Sequence, residues 1–103
     1  MNYRIWSAIS YLGLLCFVSL SFSACSVNGA ELFKEEGCIH CHRFKGIGGN
    51  MGPDLTAVTE RRTENWVETY LKGPRKVNPA ARMPPFDHLT GLQVKAIYAY
   101  LKE

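Results

Sequence analysis

The chain has 103 residues, 47% of them apolar, with twelve Lys and Arg against nine Asp and Glu. It is too short for two ordinary domains, and its apolar share is that of a globular protein, so one domain is expected. From Cys25 onward eleven cations face nine acids, too weak an excess for the dense basic patch of a nucleic-acid binder or for strong long-range steering of a partner. The clusters Arg61, Arg62 and Lys72, Arg75, Lys76 read as solvated surface.

Residues 1–24 hold one charged side chain, Arg4, ahead of the uncharged run WSAISYLGLLCFVSLSFSA. A positive start, an apolar centre and small residues near a cut site describe a secretory signal peptide. The run is about long enough to span a bilayer, but five serines and a glycine leave it only moderately apolar, and SAC offers a processing point. Cys25 ends the stretch FSAC, whose Ser and Ala resemble the bacterial lipobox and whose Phe22 departs from the usual Leu. Two alternatives follow: cleavage before Cys25 with acylation of its thiol and membrane anchoring, or ordinary cleavage after Ser26 or Gly29 with Cys25 discarded. In both, the domain at 25–103 is exported, to the periplasm or its membrane surface, where disulfides are permitted.

That domain has 79 residues, near the low end of what a hydrophobic core alone can hold. A disulfide between Cys38 and Cys41 would close too small a loop to constrain much. A large apolar cofactor would supply the missing core.

Three helical segments are expected, separated by Gly and Pro stretches. Asn28 caps the first, with Glu31 three positions on, Leu32 and Phe33 as its apolar edge and Gly37 as its stop. The second runs from about Thr63 to Lys72, with Trp66, Val67, Tyr70 and Leu71 at helical spacing and Gly73-Pro74 as its end. Thr90 and Gln93 form a capping-box pair for the third, where Val94, Ile97, Tyr98 and Leu101 share one face. No strand pattern competes, so the fold class is all-α. The loops GIGGNMGPDL and GPRKVNPAARMPPFDHL are long enough that something must order them.

Between the first two helices lies CIHCH, residues 38–42. Cys-x-x-Cys-His reads as a c-type haem attachment: two thiols reach the two vinyl groups of one porphyrin, and the next residue aims its imidazole at the iron. A thioredoxin-like dithiol would sit in a βαβ setting, and no strands are expected here. A structural zinc site needs four ligands, usually from a second paired motif, and the spacing of His40 and His88 resembles no finger or ribbon. Haem is therefore the favoured reading.

From Gly29 to Lys102 the sequence resembles a class I monohaem cytochrome c of the small bacterial type. Four separated features carry the likeness: Gly29 with Phe33 in the first helix; Ile97 with Tyr100 in the last; the turn Gly52-Pro53-Asp54-Leu55; and the late RMPPF, with Met83. The resemblance implies three main helices around one covalent haem c, bound through Cys38 and Cys41, with iron ligated by His42 and Met83. It also implies that Gly29 and Phe33 pack on the last helix, and that the Pro53 carbonyl accepts the His42 ring N–H and strengthens that ligand.

Of the other possible ligands, Met51 stands beside the proximal turn and is expected to line the pocket, His40 to face solvent, and His88 to be a polar loop residue. Trp66 has two open readings, plain core or a contact to the haem propionates, and Arg61 and Arg62 share the second. The function implied is that of a single-electron carrier, monomeric, using transient redox-partner proteins and no nucleic acid. The competing expectation is a small haem enzyme or a redox or gas sensor with a labile distal site.

Overall fold

A computed structural model of the chain describes residues 26–103. The expected signal segment, its expected cut site and Cys25 lie outside the described residues.

The first helix, α1, spans Gly29–Glu35. Asn28 Oδ1 accepts the Glu31 N–H at 3.1 Å, and Gly37 breaks the helix with φ 76°, a conformation cheap only for glycine. One helical turn, α2, follows at once over Cys38–Cys41. The strands β1 (Arg43–Phe44) and β2 (Ile47–Gly48) then form a minimal antiparallel hairpin, with Phe44 opposite Ile47. Its two turn residues, Lys45 and Gly46, both have positive φ, the mirror-image turn that fits the strand twist. After the single turn α3 (Val58–Arg61) comes α4 (Glu64–Lys72), capped by the Thr63 hydroxyl on the Trp66 N–H. Gly73 ends α4, and Pro74 opens the short α5 (Pro74–Val77), where a missing N–H costs nothing. An irregular stretch then leads to α6 (Gly91–Leu101), with both halves of the Thr90–Gln93 capping box formed.

The fold is thus mainly helical, as the sequence implies, with a hairpin of two-residue strands and three single-turn helices added. The frame is the packing of α1 on α6, with α4 against α6 from another side. At the crossing a Cβ on Gly29 would stand 2.0 Å from the Ala96 carbonyl oxygen and 3.0 Å from Tyr100 Cβ, so only a glycine lets the two backbones touch. Phe33, Val94 and Ile97 are 2%, 1% and 3% exposed, and full burial of such side chains contributes about 1.5–3 kcal/mol each.

Phe44 joins this core from the hairpin. Its ring meets Tyr100 edge-on at 4.9 Å and Phe33 at 6.3 Å. Offset or tilted aromatic contacts of this kind add about 0.5–1.5 kcal/mol beyond burial. The hairpin is thereby fixed to the helix crossing, and with it the segment just downstream of the paired cysteines. On the far side, the Tyr98 hydroxyl donates to the Arg62 carbonyl at 2.9 Å, tying α6 to the end of α3.

Candidate haem site

Cys38 and Cys41 open and close α2, three positions apart on one turn, and both are free, half-buried thiols. Burial, chiefly, pushes the Cys38 thiol up to about 11, with a smaller contribution from the neighbouring Glu36 carboxylate. The group is held as a thiol rather than a thiolate, and so is slow in disulfide exchange.

His42 follows directly, 9% exposed, with its Nδ1 2.8 Å from the Pro53 carbonyl oxygen. A carbonyl can only accept, so Nδ1 carries a proton, and in the neutral ring it is Nε2 that keeps the lone pair. This is the tautomer a metal needs, and the partner is the one the family resemblance implies.

The turn reaches His42 because residues 49–55 run alongside residues 39–43 as a strap. Gly49 N–H donates to Ile39 O at 2.9 Å, Gly52 N–H to Cys41 O at 2.8 Å, and Leu55 N–H to Arg43 O at 2.8 Å. Such close apposition demands missing side chains: a Cβ on Gly49 would stand 2.0 Å from the His40 carbonyl oxygen, and one on Gly48 2.1 Å from that of His42. The strap ends in a tight Asp54–Thr56 turn. There the Asp54 carboxyl is held below its ordinary range, mainly by the Thr56 hydroxyl and then by the Thr56 N–H.

Met83 is half-buried and packs against the core. Its loop is held on both sides: Arg75 Nε donates to Ala81 O at 3.2 Å, and Phe86 N–H to Leu71 O at 2.6 Å. A cleft of about 610 Å³ opens beside the methionine, lined by the cations Lys72, Arg75, Lys76 and Arg82 and by the acid Asp87, so the basic cluster of the sequence converges on this loop.

Trp66 is half-buried against the core, with the Arg62 guanidinium 4.1 Å above its ring and Tyr70 stacked at 4.9 Å and 17°. Arg62 is thus occupied by a cation–π contact, while Arg61 is exposed. His40 is exposed, as expected. His88 does more than face solvent: its Nε2 lies 2.7 Å from Glu36 Oε2. Met51 corrects an expectation, being 84% exposed rather than lining a pocket, because the strap is pressed onto α2 through backbone and glycines and leaves this side chain free. Sequence reasoning missed Phe44, the close approaches at Gly48 and Gly49, and the hold of Arg75, read there as solvated surface, on the Met83 loop; of these only the glycine-rich run was visible.

The family model for cytochrome c matches residues 26–103, the whole of the described chain. The chain belongs to the cytochrome c family. Membership, together with the small size, makes it a monohaem cytochrome c with an electron-transfer role, and implies a covalently held haem. The chain is 29% identical to cytochrome c oxidase subunit 2 of Alkalihalophilus pseudofirmus over 83 residues, covering 72% of this chain and 24% of that protein. It is also 29% identical to cytochrome c oxidase subunit 2 of Bacillus subtilis over 101 residues, covering 84% and 28%. The cytochrome therefore spans about a quarter of the length of the curated relatives it matches. Among the described residues no helix is long and apolar enough to cross a membrane.

Proposed function

We propose that this cytochrome is a single-electron carrier rather than an enzyme, with its haem bonded to Cys38 and Cys41 and ligated by His42 and Met83. A bound c-type haem supplies one iron-centred electron, exchanged between ferrous and ferric states. The observation that carries the reading is the His42–Pro53 contact, which leaves Nε2 free one residue after the two thiols. The residues fit the group in a second respect: Gly52 leaves beside the His42 ring a space that a Cβ would fill.

The chain's own residues then have separable tasks. Cys38 and Cys41 retain the cofactor where free haem would be lost. Pro53 fixes the tautomer of His42 and raises its donor strength. Met83, on a loop stiffened by Pro84 and Pro85 and held by Arg75 and Leu71, would supply a thioether that favours ferrous iron and would keep outside ligands away. Trp66 and Arg62 form a stacked surface suited to propionates.

The setting is an exported chain at the periplasm or membrane surface, with Cys25 as a lipid anchor if it is acylated. The likeness to oxidase subunits supports a terminal oxidase as acceptor, and the cations around the Met83 cleft suit a transient acidic partner. The test is carbon monoxide added to the reduced, haem-loaded protein. A carrier with Met83 in place resists it over minutes, whereas prompt binding would favour the enzyme or sensor reading.

A further inference from the structure

We infer that Gly52 is a positioning residue for His42: its missing side chain sets the angle of the imidazole and thereby the strength of the Pro53 hydrogen bond. The inference rests on the reading of His42 as the proximal ligand.

The glycines of the strap are not equivalent. Gly48 has φ 121°, a conformation other residues rarely adopt, and a Cβ there would also meet backbone. At Gly49 the obstacle is again backbone, the His40 carbonyl. Gly52 has no left-handed backbone to explain it. The three atoms nearest to a Cβ at 52 would all belong to the His42 ring, Cε1 at 2.6 Å, Nδ1 at 2.8 Å and Nε2 at 3.1 Å. The imidazole is therefore the first obstacle to any side chain at this position.

The consequence is directional. Gly52 and Pro53 are adjacent, so the wall beside the ring and the carbonyl that accepts its proton are parts of one rigid turn, anchored by Gly52 N–H on Cys41 O at 2.8 Å. A methyl group on residue 52 cannot push the turn away without breaking that bond, so the ring turns instead. Turning carries Nδ1–H off the carbonyl lone pairs, and a hydrogen bond weakens steeply as its angle closes. A weaker hydrogen bond leaves a less basic imidazole, which stabilises ferric iron less, and the reduction potential rises.

The test compares haem-loaded Gly52→Ala with haem-loaded Gly29→Ala, whose clash lies at the crossing of α1 and α6 and not in the strap. In the reduced, diamagnetic protein the His42 ring N–H is followed by proton NMR, and the midpoint potential is read by spectroelectrochemistry. Gly52→Ala is expected to take haem covalently, to exchange its His42 ring proton with solvent at least tenfold faster than the wild type, and to titrate at a higher potential. Gly29→Ala is expected to unfold at lower denaturant while leaving both readouts at their wild-type values. The inference is overturned if Gly52→Ala keeps the wild-type proton exchange and potential, or if Gly29→Ala moves them equally. A Gly52→Ala chain that takes no haem overturns it too, since the collision is with a ring that can turn. If the wild type itself shows no haem-shifted His42 resonance, it is the ligation reading that fails, whatever the variants do.

Discussion

Glu36 Oε2 and His88 Nε2 lie 2.7 Å apart, joining the end of the first helix to the segment that leads into the last, across 52 positions of sequence. The contact links the residue two before Cys38 to the residue five after Met83, and so ties the chain on the two sides of the candidate haem site. Its energy is modest, because the His88 side chain is 58% exposed and that of Glu36 23%. Glu36→Gln is therefore expected to cost under about 1 kcal/mol of unfolding free energy, with the difference shrinking at high salt. Urea titrations at low and high ionic strength check this, and His88→Gln should leave the haem spectrum unchanged.

In the proposed reading, haem attachment rests on Cys38 and Cys41. Replacing both with Ala should abolish covalently bound haem, measured as pyridine haemochrome per chain, and should leave little folded protein, since the cofactor completes so small a core. A fully folded, haem-free double variant would show that the cofactor is not structural.

Met83 and Met51 separate cleanly. In ferric wild-type protein the weak near-infrared charge-transfer band of sulfur-ligated iron is expected. Met83→Ala should remove it, admit cyanide and lower the potential by a measurable part of the roughly 0.8 V that axial ligands span. Met51→Ala should leave the band in place, because that side chain is 84% exposed. The reverse pattern would transfer the ligand role to Met51.

Gly29→Ala tests the helix crossing. The added methyl would stand 2.0 Å from the Ala96 carbonyl oxygen, and neither backbone can yield without parting α1 from α6. The expected cost is near the upper end of the ~1–3 kcal/mol typical of overpacking, or above it. It is read as a fall in the denaturant midpoint at unchanged haem potential.

Acid stability has a defined contributor. The Asp54 carboxyl is held below its ordinary value of 3.8, first by the Thr56 hydroxyl, so its folded pKa lies below its unfolded one. The stabilisation it brings is present above the unfolded value and is lost as pH falls through the folded one. Thr56→Val should therefore lower the denaturant midpoint near neutral pH, with the gap from wild type closing as pH drops below the carboxylate range.

The capped helices were legible because their signals are local. Asn28 with Glu31 and Thr90 with Gln93 are each complete within one turn of sequence. The Cys38–His42 spacing was legible for the same reason. The hairpin was not, because Lys45-Gly46 lacks the Asn or Asp that usually marks such a turn, and because Phe44 is held by Phe33 and Tyr100, distant in sequence. The single turns α3 and α5 are too short for any periodicity to reveal. Of the candidate site, the paired cysteines, His42 and the Pro53 turn were readable, while the strap and the His88–Glu36 tie depend on how residues far apart in sequence are brought together, which no local pattern encodes.

The most direct test of the electron-carrier account is a spectroelectrochemical titration of the haem-loaded protein with and without cyanide. The account predicts one reversible one-electron transition, whose midpoint and spectra cyanide leaves unchanged over the minutes of the experiment. A protein with no redox-active haem, or one whose ferric spectrum and midpoint shift at once on adding cyanide, would contradict it.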